Sequence, residues 1–284
     1  MARRKDESIR EPCSRLARLQ QSQNKWSTTS SLSWASQKQD GHSQGRSNWQ
    51  SVISSRHEDE GAINTEEVAI MMMKDARKAL TEWKPINSRI MSATFNTSNR
   101  RVKTHIIQCY APINNVDDEV KAIFYDSLNH QVNVIKARDL VILRGDFNAK
   151  IGGQNNGYET VMRKQGVGTM DENGEMFEET CVNTNIVIGG SVFPHKTIHK
   201  TTWVSPGHVT DNQISHISNS KKFRRVMKYV RTGKGADETS DHHLLIGKFK
   251  LRLKTYQQAK RQRMKYNTEY LSNGRVTKHF QDIV

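Results

Sequence analysis

At 284 residues, with 35% hydrophobic side chains and a mean hydropathy of −0.77, the chain can build the core of one domain of about 150 to 200 residues and still leave polar flanks outside it. A formal charge of +15 sets up a positive field that gathers polyanions, so nucleic acid is the first partner to consider and a merely solvated lysine surface the plain alternative. Cys13, Cys109 and Cys181 are odd in number and lack C-x-x-C spacing, and no apolar run approaches the ~20 residues of a membrane span; a disulfide framework, a cysteine zinc site and a transmembrane segment are excluded.

These features predict a soluble protein of a reducing intracellular compartment, the nucleus included. The Arg- and Ser-containing start has the flavour of an organelle transit peptide, but Asp6, Glu7 and Glu11 oppose that reading.

Residues 1–60 are rich in Ser, Gln, Arg and Lys with no sustained period of 2 or 3.6, and are expected to be disordered. The run Val68 to Met73 reads as a short strand, its methionines as core, followed by a helix over Lys74 to Trp83 that ends before Pro85. Arg89 to Phe95 and Val102 to Tyr110 read as a hairpin around the polar turn at Asn96 to Arg100. Asp117 and Asp118 open a helix expected to bury Val120, Ile123, Phe124, Leu128 and Ile135. A buried strand at Leu140 to Leu143 runs into Gly145-Asp-Phe-Asn148.

Asn173 to Asn183 reads as a helix burying Met176, Phe177 and Cys181, with a strand at Ile186 to Ile188. Further strands are expected at Thr201 to Val204, Gln213 to Ile217 and Leu244 to Phe249, giving a layered α/β domain over residues 61–250. The basic tail, 251–284, carries no hydrophobic seam and reads as a surface helix or linker.

Three segments carry candidate chemistry. Asp146 and Asn148, two apart at the end of a buried strand, share a face where α/β folds collect ligands, although the same pair also caps ordinary turns. Asp241 offers a hard oxygen to Mg²⁺, and His242 beside it an imidazole that can bind phosphate or move a proton; a surface turn is the plain reading. Tyr110, in Cys109-Tyr-Ala-Pro112, leaves a strand into a loop, as strand-end packing residues also do. Lys221, Lys222, Arg224 and Arg225 form a basic cluster fit for phosphate contact or for solvation. His195 and His199 are spaced for zinc, but no second ligand pair accompanies them.

Taken in order, Tyr-Ala-Pro, Gly-Asp-Phe-Asn, Asn212-Gln-Ile-x-His216 and Ser-Asp-His resemble the endonuclease/exonuclease/phosphatase family. The connecting segments Gly145-Asp-Phe-Asn-Ala-Lys-Ile-Gly152, Val187 to Lys196, Ile198 to Pro206 and Gly235 to His243 are similar to the endonucleases of RTE/BovB-type non-LTR retrotransposons. The resemblance covers about residues 61–254. It implies a two-sheet α/β sandwich flanked by helices, and Mg²⁺-dependent hydrolysis of DNA phosphodiesters. On that pattern Asp146 would activate water, Asn148 hold polar neighbours, His242 stabilise the phosphate, Asp241 serve the metal and Tyr110 contact the phosphate.

Two departures stand out. The family's first two strands, carrying an Asn and the principal metal-binding Glu, have no counterpart here, and Glu58, Asp59 and Glu60 stand in no strand context, so the domain reads as N-terminally truncated with an exposed sheet edge. Ser215 stands where the family has an Asp that orients the catalytic His. The expected outcome is an impaired or inactive nuclease, with a domesticated, non-catalytic nucleic-acid-binding or interaction protein, or a decayed element, as alternatives.

Overall fold

The computed structural model describes residues 49–55, 68–205, 207, 209–233 and 241–253. In chain order the elements are β1 (Trp49–Ser54), β2 (Ala69–Met73), α1 (Lys74–Ala79), β3 (Leu80–Asn87), β4 (Ile90–Asn96), β5 (Lys103–Tyr110), α2 (Asp118–Asn133), β6 (Leu140–Asp146), α3 (Glu172–Asn183), β7 (Ile186–Ile188), β8 (Trp203–Val204), β9 (Asp211–Asn212), β10 (Ser215–Ser220), β11 (Met227–Gly233) and β12 (Leu244–Phe249).

A six-stranded sheet in the order β3-β4-β5-β6-β10-β7 organises the domain; β5 and β6 are parallel, and α2 is the crossover between them. Alternation decides what each face meets. Ile107, Cys109, Val141 and Leu143 join Phe124, Tyr125 and Leu128 of α2 and Phe177 and Cys181 of α3 in one core. Ile106, Leu140, Ile142 and Ile217 turn the other way, into a second core with Ile70 and Met72 of β2, Ala76 of α1, Met227 and Val230 of β11 and Leu245 of β12. The sheet is therefore covered by α2 and α3 on one face and, on the other, by α1 and the antiparallel pairs β1-β2 and β11-β12. Each fully buried Leu, Ile or Phe in these layers contributes about 1.5–3 kcal/mol of burial free energy before the ordering entropy is subtracted.

The hairpin of β4 and β5, the strands β6, β7 and β12 and the helix α3 lie where the sequence puts them. Four expectations need correction. The stretch read as disordered includes β1, which pairs with β2 and is tied down by Ser55, whose hydroxyl donates to the Ser88 carbonyl at 2.6 Å; residues 1–48 and 56–60 lie outside the described residues. The helix expected to reach Trp83 stops at Ala79, and the segment through Pro85 becomes the edge strand β3, where Lys84 and a proline are both tolerated.

The buried stripe of α2 is rotated: Val120 and Ile123 are 40% and 59% exposed, while Lys121 is buried between Asp118 (2.7 Å) and Glu172 (2.9 Å), which raise its proton affinity. Finally β11, absent from the sequence reading, pairs with β12 across a bulge between Met227 and Tyr229 that breaks its apolar alternation. Among the described residues, no helix is long and apolar enough to cross a membrane. The basic tail from 254 onward lies outside them.

Candidate functional site

Three strand ends form one row. Tyr110, the last residue of β5, is the register partner of Asp146, the last residue of β6, and Asp146 is in turn paired with Ser215, the first residue of β10. Directly paired residues put their side chains on one face, here the face that the two hairpins cover. A loop entering β12 adds the fourth member: His242 Nε2 lies 3.7 Å from Asp146 Oδ2.

Asp146 is the hub. It is 5% exposed, and one carboxylate oxygen accepts the Asn148 N–H at 3.1 Å, an Asx turn that sets the chain direction after β6. The Ser215 hydroxyl also donates to it. Burial raises its pKa above the usual carboxylate range and the nearby Asp241 adds to this, while His242, the Asn148 amide and Ser215 pull the other way. His242 and Ser215 thus both flank Asp146.

Asn148 adopts φ 47°, a left-handed conformation that Asn tolerates, and its side-chain amide donates to the Ala111 carbonyl at 2.9 Å. It thus ties the loop after β6 to the loop after Tyr110. Tyr110 is half-buried, with the Arg89 guanidinium 5.6 Å from its ring centre. Asp241 is held by the Trp203 indole, which donates to Oδ2 at 3.0 Å, and the backbone of Val204 donates to its carbonyl at 2.9 Å. Thr202 completes the brace: its carbonyl accepts the His243 N–H at 2.7 Å, and its hydroxyl accepts the Ser215 N–H at 3.0 Å.

Sequence reasoning missed Trp203, Thr202, Arg89 and a latch of asparagines. Asn173, fully buried at the start of α3, donates to the carbonyls of Pro112 (2.8 Å) and Asn148 (3.2 Å), and its own N–H is taken by Asn114. Asp171 caps the helix by accepting from Gly174 N and also accepts from Asn114. The visible signal was Asp171-Glu-Asn-Gly174 opening a helix; that the asparagine would turn inward was not legible.

The structure brings Tyr110, Asp146, Asn148, Ser215, Asp241 and His242 to one end of the sheet. It does not bring Lys221, Lys222, Arg224 and Arg225 there: they follow Ser220, at the far end of β10. His216 points into the opposite core, stacked on Phe177 at 5.1 Å and donating from Nε2 to the Ala149 carbonyl (2.8 Å), with its pKa lowered to about 4 by burial. His195 is depressed by burial, by Arg231 and by His199, a cationic setting that opposes a metal ion.

The donor chemistry of Asp146 and Asp241 is right for Mg²⁺, which takes oxygen ligands. The set is not. Each carboxylate already accepts a hydrogen bond, and among the described residues no group of three or more His, Cys, Asp or Glu side chains could hold a metal ion. The strand β1 brings Trp-Gln-Ser-Val-Ile-Ser and no acid; Glu58, Asp59 and Glu60 lie outside the described residues.

No protein-family profile matches the chain. It is similar to craniofacial development protein 2 of Bos taurus, 31% identical over 187 residues, which is 66% of this chain and 31% of that protein; the chain thus spans about a third of the curated relative. Among solved structures, the endonuclease domain of TRAS1, a telomere-specific non-LTR retrotransposon, superposes with TM-score 0.51 at 14% identity, covering 72% of this chain and 81% of that one. The 3'-5' exonuclease NExo of Neisseria meningitidis gives TM-score 0.51 at 15% identity, over 72% and 80%.

Proposed function

We infer from these relations that the chain, a member of the endonuclease/exonuclease/phosphatase fold family, is a nucleic-acid-directed protein derived from a retrotransposon-type DNA endonuclease and impaired or inactive as a nuclease. The observation that supports this is the single row of Tyr110, Asp146 and Ser215 with His242 leaning on Asp146. In such a row Asp146, whose proton affinity is raised by burial, is the group fit to take a proton from an attacking water. His242 beside it can face the phosphoryl oxygens, and Tyr110 can donate to them.

Two features support the impairment. Among the described residues the donor set does not complete a site for Mg²⁺, the ion that this chemistry uses in the family. Ser215 supplies a hydroxyl and no charge, and it spends that hydroxyl on Asp146, the residue His242 leans on. A second reading, a domesticated binding protein without turnover, is favoured by the same two features and by the net charge of +15.

The test is nicking of supercoiled plasmid with Mg²⁺, run beside Asp146→Ala. Residual cutting that disappears in the substituted protein establishes the enzyme. Equal behaviour of the two leaves the binding reading. Ser215→Asp alone is expected to leave nicking at the starting level, because it restores a partner for His242 but no metal anchor, and vigorous Mg²⁺-dependent cutting by that variant would show that the anchor lies elsewhere.

A further inference from the structure

The far end of the central sheet carries a feature that the proposed catalytic row does not use. Where β3, β4 and β5 meet the end of α2 and the loop into β6, they line a half-open cavity of about 270 Å³. Six exposed cations line it: Lys84 from β3, Arg100 and Arg101 from the β4–β5 turn, Lys103 from β5, and Lys136 and Arg138 from the loop before β6.

Only two acids oppose them, Glu82 and Asp139. Asp139 is 6% exposed and already occupied: it accepts the Lys103 N–H at 2.8 Å and lies 3.4 Å from His105 Nε2, whose other ring nitrogen meets the Thr94 hydroxyl at 3.1 Å. The floor is thus a closed hydrogen-bonded chain, and the rim keeps a large excess of positive charge.

That excess continues past the rim. Lys222 donates to the Ala137 carbonyl at 3.3 Å, between Lys136 and Arg138, which joins the cavity to the turn bearing Lys221, Arg224 and Arg225. These cations, out of place for the catalytic row, extend the cavity into a strip.

We propose that this end of the sheet is a second nucleic-acid site, binding the phosphates of a single strand in the cavity of Lys84, Arg100, Arg101, Lys103, Lys136 and Arg138 and along the Lys222 turn. Six residues separate Lys103 from Tyr110 on β5 and Asp139 from Asp146 along β6, roughly 20 Å of extended chain, so a phosphate held at that end is not the one in the catalytic row. A free nucleotide shares the phosphate chemistry, but the strip beyond the cavity matches a longer polyanion. The site is independent of turnover, and its failure would leave the nicking experiment untouched.

The experiment uses the full chain carrying Asp146→Ala, so that no probe is cut, and a fluorescein-labelled thymidine 20-mer read by anisotropy across a salt series. Arg100→Gln with Arg138→Gln is expected to weaken binding about tenfold and to flatten the logarithmic salt dependence by about 1.4, or ~0.7 per lost contact. The matched pair Lys74→Gln with Arg77→Gln, exposed cations of α1, is expected to change it less than twofold. Equal losses from both pairs would overturn the proposal in favour of diffuse charge. Displacement of the 20-mer by thymidine monophosphate at the same phosphate concentration would overturn it in favour of a mononucleotide pocket.

Discussion

Gly145→Ala is expected to unfold the protein at temperatures the parent chain withstands. Gly145 has φ +155°, and a β carbon built on it would lie 2.0 Å from the Cys109 carbonyl oxygen and 2.8 Å from its carbon, both backbone atoms that cannot rotate away. The methyl group can be accommodated only by parting β5 from β6 at the Cys109–Gly145 rung, the last but one of their ladder. Together, overpacking and backbone strain cost roughly 3 kcal/mol or more, which for a domain of this size lowers Tm by about 6–12 °C. The next rung holds Tyr110 beside Asp146, so any nicking or phosphate binding at that row should be lost with it. A thermal melt within a degree or two of the parent would show that β5 and β6 are not packed as described.

The second large effect is a dependence of stability on pH carried by Glu178. This residue of α3 is fully buried, and neither carboxylate oxygen has a hydrogen-bond partner. Burial, with a smaller push from Glu175, raises its pKa to about 7 from an ordinary 4.5. A raised folded-state pKa means that the native protein holds the proton more tightly than the unfolded chain. Its contribution is therefore complete below pH 4.5 and lost as pH rises through about 7.

A shift of this size corresponds to about 3 kcal/mol. Glu178→Gln removes the charge while keeping the shape, so it should leave stability near pH 5 almost unchanged and raise Tm at pH 8 by about 5–10 °C. Parallel pH profiles for the two proteins, by calorimetry, would rule out a buried carboxylate at this position.

Much of this was legible because it is local. The alternation in Lys103–Tyr110 and the run Leu140 to Leu143 announce strands whatever surrounds them, and the motifs at 110 and 146 sit at strand ends, with that at 241 in the loop just before β12. What escaped depends on partners far along the chain. Lys121 turns inward because Glu172 of α3 is waiting for it, and no spacing within α2 reveals that. Segment 80–87 looks like a helix end followed by a breaker, yet as an edge strand it gives up nothing by containing Pro85.

At the site, the motif residues could be read off, but their supports could not. Trp203 and Asn173 act on Asp241 and Asn148 across long sequence separations, through hydrogen bonds that have no periodic signature. The cluster at Lys221 to Arg225 was legible as charge; its position opposite the catalytic row was not.

The brace that seats Asp241 and His242 on Trp203 and Thr202 has a temporal consequence during synthesis. Tyr110, Asp146 and Ser215 can fall into line once the strand beginning at 215 has left the ribosome, but the imidazole arrives only after the closing hairpin has emerged and docked. A nascent chain arrested before residue 240 should therefore protect the amides of the central sheet from exchange while leaving Asp146 without its histidine neighbour. Assembly of the row's chemistry is in this sense a late act of folding, and it is entrusted to the last-made of the described strands.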